Sequence, residues 1–142
     1  MRRITIIVAD TRRVGRARCE SVLERQDDIV VVSYASEHGE ALAAAAELEP
    51  RILLCSRRFA WPVNYMFFEN LRERCPSTLG VLWADGAIEE DEFLLAVGKG
   101  AVGFLEGRHL IKELPEAIRR IDDGEAWVRR RMLGLIRERL IA

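Results

Sequence analysis

The sequence has little of what staples, anchors or strongly charges a chain. Its three cysteines, Cys19, Cys55 and Cys75, are odd in number, far apart and without metal-ligand spacing. Neither a disulfide framework nor a zinc site is indicated, and buried reduced thiols are expected. The two histidines, His38 and His109, supply almost no material for a metal cluster or a base beside a nucleophile. No apolar run approaches the ~20 residues that span a bilayer. The basic then apolar start, Arg2-Arg3 followed by Ile4 to Val8, is too short for a signal-peptide core and suits a buried strand. Neither sign of charge dominates: 22 Lys and Arg face 23 Asp and Glu, a formal −1. That balance gives no global reason to bind nucleic acid or an anionic membrane. A glycine-rich phosphate loop, an internal repeat and a low-complexity tract are also missing. These absences point to a cytoplasmic protein with no membrane contact and no cofactor.

What is present is an alternation. At 142 residues, 49% hydrophobic and 32% charged, the chain suits one ordinary domain with a full core. Ile4 to Val8 and Ile29 to Val32 are β-branched runs typical of strands buried on both faces. Ile52 to Cys55, Leu79 to Trp83 and Val102 to Leu105 continue the series. Between them lie helical patterns. The first is capped by Thr11, with Val14, Cys19, Val22 and Leu23 facing inward. The others are Glu40 to Leu48 closed by Pro50, Tyr65 to Arg74, Glu89 to Val97 ended by Gly98 and Gly100, and Leu110 to Ile121. A last helix runs from Trp127 to Ile141. Five buried strands alternating with helices predict an α/β, three-layer αβα sandwich around a doubly wound parallel sheet of the flavodoxin type, order 2-1-3-4-5, plus a C-terminal helix. In such a sheet the chemistry sits at the carboxyl ends of the strands. The positions to question are Ala9-Asp10, Ser56, Trp83-Ala84-Asp85 and Glu106-Gly107-Arg108.

Several segments, taken in order and spacing, resemble response-regulator receiver domains of the NarL/FixJ, CheY-like type. They are Ile7-Val8-Ala9-Asp10, Leu48-Glu49-Pro50-Arg51-Ile52-Leu53-Leu54-Cys55-Ser56, Leu71-Arg72-Glu73-Arg74-Cys75-Pro76 and Gly100-Ala101-Val102-Gly103-Phe104-Leu105. The pair most typical of this subfamily is Leu114-Pro115-Glu116-Ala117-Ile118 running into Gly124-Glu125-Ala126-Trp127. The resemblance covers nearly the whole chain. It implies a receiver over 1–124 and a linker or interaction helix over 125–142.

The family's chemistry is phosphorylation of an aspartate, with carboxylates holding Mg2+ against the incoming phosphoryl oxygens. Carried over residue by residue, that machinery is dismantled here. The acidic pair reads Ala9-Asp10, the phosphoacceptor position is Ser56, the switch hydroxyl is Trp83 and the lysine position is Gly107, with Arg108 as a neighbouring cation. Phe104 is the second switch position, an inward aromatic. Phe59-Ala60-Trp61 stands for the usual Met-Pro-Gly loop, and Asn64, tolerant of a left-handed backbone, for a turn glycine. One carboxylate cannot hold an octahedral ion at about 2.0–2.1 Å in an open cleft. The resemblance therefore implies a degenerate pseudo-receiver, with no catalytic residue and no metal.

Other readings stand beside this one. Asp10 with Asp85 is a possible divalent-cation pair, which would make the domain a ligand or metal sensor reusing the cleft. Trp83 is expected to fill the vacated pocket, and Trp127 to anchor the last helix to the core. That helix interleaves Arg129, Arg130, Arg131, Arg137 and Arg139 with Met132, Leu133, Leu135, Ile136, Leu140 and Ile141, an amphipathic pattern whose apolar stripe must cover something. The expected function is a phosphorylation-independent signal-transduction module, not an enzyme. It is expected to act through protein contacts as a homodimer, in transcription regulation with a helix-turn-helix DNA-binding domain in the parent protein. No direct nucleic-acid binding by this domain is expected.

Overall fold

The computed structural model describes residues 2–107 and 110–141. Five strands, β1 (Ile4–Ala9), β2 (Ile29–Ala35), β3 (Ile52–Ser56), β4 (Leu79–Ala84) and β5 (Ala101–Glu106), form one sheet in the order β2-β1-β3-β4-β5. All pairings are parallel. The helices are α1 (Arg13–Leu23), α2 (His38–Leu48), α3 (Arg57–Ala60), α4 (Met66–Arg74), α5 (Glu90–Lys99), α6 (Leu110–Asp122) and α7 (Arg130–Ile141). The doubly wound architecture and strand order are those expected from the sequence.

Period-two alternation splits the strand side chains between two cores. Ile6, Val8, Leu54, Val81, Trp83 and Leu105 pack under α1 and α6. Ile7, Ala9, Leu53, Cys55, Leu82 and Phe104 pack under α2, α4 and α5. Every residue of β3 is buried, which is why its apolar run does not alternate. α6 buries Leu110, Leu114, Ala117, Ile118 and Ile121, an i, i+4, i+7, i+8, i+11 stripe.

Several local expectations need correction. Thr11 does not cap α1: the N-cap is Arg12, with no side-chain cap. Instead the Asp10 carboxylate accepts the Arg12 N–H at 3.3 Å. Val14 is 64% exposed, because the buried stripe of α1 is Gly15, Cys19 and Leu23 at i, i+4 and i+8. The short helix α3, directly after β3, was not anticipated. Asn64 is left-handed as its residue type allows, but Val63 and Tyr65 on either side are left-handed too. Trp127 does not open the last helix. It pairs with Gly103 as a single parallel bridge on the free edge of β5, and α7 starts at Arg130. The three cysteines are buried and unpaired, as expected. No helix among the described residues is long and apolar enough to cross a membrane.

Candidate functional site: a self-neutralised cleft

At the carboxyl ends of β1 and β3 the chain brings Asp10, Ser56 and Arg58 together. Asp10 follows β1 and is fully buried. Its Oδ1 accepts from Ser56 Oγ at 2.7 Å and from Arg58 Nε at 2.8 Å, while Oδ2 accepts from Arg58 Nη2 at 3.0 Å. The two Arg58 bonds make a bidentate fork, the strongest way a protein pairs a carboxylate. Arg16 Nη1 adds a bond to the Asp10 carbonyl at 2.7 Å. The close fit needs Gly15, since a Cβ there would stand 1.6 Å from Asp10 Oδ2.

Arg58 then reaches outward. Its Nη1 lies 3.3 Å from Asp85 Oδ2, and Arg18 Nη1 donates to Asp85 Oδ1 at 3.0 Å. Desolvation alone would raise the Asp85 carboxyl, but bonds from Arg18 and Arg58 outweigh it and hold the group below the usual carboxylate range. The same contacts, led by the hydrogen bonds to Asp10, raise the Arg58 guanidinium further. A fixed cation therefore sits between the two carboxylates proposed as a metal pair. Among the described residues no group of three or more His, Cys, Asp and Glu is placed to hold a metal ion.

Ser56 is committed on both sides. Its hydroxyl donates to Asp10, and its oxygen accepts from Phe59 N at 3.2 Å as the N-cap of α3. The carboxylate that accepts its proton is already paired with Arg58, and no histidine among the described residues stands beside it. His38 is elsewhere: its Nε2 meets the Phe59 carbonyl at 2.6 Å, and its ring lies against Phe59 and Phe67. His109 and Arg108 lie outside the described residues.

The remaining sequence-predicted positions separate. Ala9 does not face the cleft. Its side chain packs in the core under α2 and α4, so the acidic remnant is Asp10 alone. Trp83 is in register with Ser56 but is buried in the core under α1 and α6, so it fills apolar space, while the polar space over Asp10 is filled by Arg58. Phe104 is buried against Phe93 of α5, ring centroids 4.6 Å apart. Gly107 has φ +67, a conformation that costs a lysine about 1–2 kcal/mol, so the backbone itself disfavours the missing cation.

The residue that the sequence reading missed is Arg58. Its signal was available: two consecutive arginines directly after a buried strand, one neighbour away from a strand that ends in a lone carboxylate.

Comparison with known proteins bears on the fold. No family model matches the sequence. The chain is 25% identical over 137 residues to the response regulator protein VraR of Staphylococcus aureus, an alignment covering 96% of this chain and 65% of that protein. It therefore spans less than two thirds of the relatives it matches. Among solved structures, a two-component response regulator of the LuxR family from Aurantimonas sp. SI85-9A1 superposes with TM-score 0.83 at 21% identity, covering 99% of both chains. The signal receiver domain of NarL from Mycobacterium tuberculosis gives TM-score 0.80 at 20% identity, covering 88% of this chain and 100% of that one. The isolated receiver domain of RcsB from Salmonella enterica gives 0.83 at 12%, covering 94% and 98%. In sheet order, helix placement and extent, the chain has the CheY-like fold of a response-regulator receiver domain.

Proposed function

We propose that this chain is a phosphorylation-independent receiver module of two-component-type signalling, acting through protein contacts rather than by chemistry. The observation that carries the reading is the bidentate Arg58 bond to a fully buried Asp10, with a serine at the acceptor position. A receiver that takes up phosphate needs an anionic nucleophile and a metal seat. Here the nucleophile is a neutral hydroxyl bonded on both sides, and the seat holds the chain's own cation. A divalent ion would have to displace a tethered guanidinium from a site it already neutralises.

The wider setting follows from the relatives. VraR and the LuxR-family neighbour are response regulators, and a further RcsB structure from Salmonella typhimurium, TM-score 0.80 at 14% identity, concerns that protein's DNA interaction. By analogy this module belongs to a transcription regulator with a helix-turn-helix domain and works as a homodimer. It is a regulatory element, not an enzyme. The rival reading, a metal sensor, is weakened by Arg58 standing between Asp10 and Asp85.

The test is incubation with acetyl phosphate and MgCl2, read by intact mass, with beryllofluoride titrated in parallel by NMR. The expected result is no added phosphoryl group and no change of cleft resonances. A phosphorylated Ser56 overturns the proposal. Resonance shifts with Mg2+ alone favour the metal-sensing alternative.

A further inference from the structure

Between α3 and α4 the chain displays a small apolar knob. Trp61, Pro62, Val63 and Asn64 are exposed in succession, Trp61 to 48% and Val63 to 74%. Val63, Asn64 and Tyr65 are all left-handed, with φ of 58, 55 and 62. For a β-branched valine that conformation is an outlier, and it persists only where the surrounding structure enforces it. The enforcement comes from α5 and α3. Buried Tyr65 is tied by its hydroxyl to Glu92 of α5, and Glu92 also accepts Arg57 Nε at 2.5 Å. The Arg57 guanidinium lies 5.4 Å from the centre of the Trp61 ring. A strained backbone thus holds two large apolar side chains in water, where they gain little within a single chain.

Beside the knob, α4, α5 and α7 enclose an open groove of about 420 Å³. Its floor is Leu94, Leu95 and Gly98 of α5, and its rim includes Glu69 of α4, Asp91 of α5 and Arg139 of α7. The groove is deepened by Gly98, where an added Cβ would meet no atom within 4 Å. Asp91 is next to Glu92, the anchor of the knob, so knob and groove adjoin on one surface. Glu69, Glu90 and Glu92 have ion-pair partners, whereas Asp91 has none among the described residues. The half-exposed Arg57 at the base of the knob is its electrostatic complement. The knob cannot fill its own groove, because Tyr65 and Arg57 tether it to Glu92.

We infer that a second copy of this chain covers both features: Trp61 and Val63 of each copy enter the Leu94–Leu95–Gly98 groove of the other across a two-fold axis. Arg57 then faces the Asp91 of the other copy. A knob and a groove side by side, in equal number, make the surface self-complementary, which is what a closed isologous pair requires. The inference rests on the homodimer in the proposed function and supplies its face. Each tryptophan brings about 150–250 Å² of side-chain area to the contact, so the interface is small and the dimer is expected to be weak and concentration-dependent.

The experiment is sedimentation velocity on the whole chain from about 10 to about 300 µM, the range of weak association. Wild type is expected to pass from monomer to dimer as concentration rises. Trp61→Ala removes the knob, and Gly98→Arg fills the groove. Each variant loses both knob–groove contacts and is expected to associate roughly a hundredfold more weakly. Both positions are exposed, so the fold is retained, which thermal melts check. The deciding sample is an equimolar mixture. Trp61→Ala keeps its groove and Gly98→Arg keeps its knob, so one contact forms again and association is expected to recover about tenfold. A dimer that survives either variant overturns the inference and leaves the homodimer reading standing, as does a mixture that shows no recovery. A wild type that stays monomeric throughout overturns both together. Phosphoryl uptake in the mass experiment bears on none of these outcomes.

Discussion

Arginine–aspartate clusters close both ends of the sheet, and they differ in depth. At the amino ends of the strands, Arg119 grips Asp28 through two bonds of 2.8 and 3.0 Å, and Arg51 and Arg2 share Asp122. Asp28 and Arg119 keep 25% and 37% of their side-chain exposure, so water screens the pair. At the carboxyl ends, Asp10 has none. The chemistry is the same, yet one cluster staples neighbouring elements at the surface, whereas the other compensates a charge that has no access to solvent. Depth, not pairing, separates a replaceable contact from one that the local fold depends on.

The sharpest way to break this comparison is to remove one arginine from each end. Arg58→Ala leaves Asp10 buried and uncompensated and is expected to destabilise the protein by about 3–5 kcal/mol. Arg119→Ala is expected to lose only about 0–1 kcal/mol. Urea denaturation of both variants measures the difference, and equal losses abolish the distinction. Arg58→Lys, which keeps the charge but loses the fork, should fall between them.

Next in size is the packing around the buried carboxylate. Gly15→Ala drives a methyl group into Asp10 and is expected to destabilise by about 1–3 kcal/mol. Gly98→Ala, inside α5 with open space around the new methyl, should instead stabilise by about 0.5–1 kcal/mol. Thermal melts of the pair separate crowding from helix propensity.

These contrasts also mark what was legible in the sequence. Strand order and helix placement were, because β-branched runs and helical spacings are periodic signals carried by many residues. The lone Asp10, the neutral Ser56 and the left-handed Asn64 were also readable as residue types at set positions. Arg58 was passed over, since the arginine pair after β3 is a single local signal without periodicity and its partner is 48 positions away. Val14 and Thr11 misled for a related reason: a local pattern favours an inward valine and a capping threonine. The tertiary demand of Asp10 for close approach put Gly15 in the buried stripe instead and met the Arg12 amide itself.

Smaller effects follow from titration. The Asp28 carboxyl is held below its usual range, chiefly by the hydrogen bond from Arg119, and Asp85 is lowered by its two arginines against the opposing effect of desolvation. A depressed carboxyl contributes stability above its unfolded value, near pH 4, and loses it as pH falls through the folded value. The stability gaps between wild type and Asp28→Asn or Asp85→Asn should therefore be constant from about pH 5 to 8 and shrink below about pH 4. A gap that widens in acid contradicts both assignments. Smallest is the thiol prediction. Burial first, then the charge of Asp10, pushes Cys19 up to about 12. Its alkylation at pH 8 should be on the order of a thousandfold slower in the native than in the unfolded protein.

The bond between Arg58 and Asp10 also bears on how a second acid could be introduced into the cleft. An aspartate introduced at position 56 would place a second carboxylate beside Asp10, with one guanidinium to serve both. Removing Arg58 first would strand Asp10 without a counter-charge. Either single step is expected to give a less stable protein, so an acidic cleft requires both changes together.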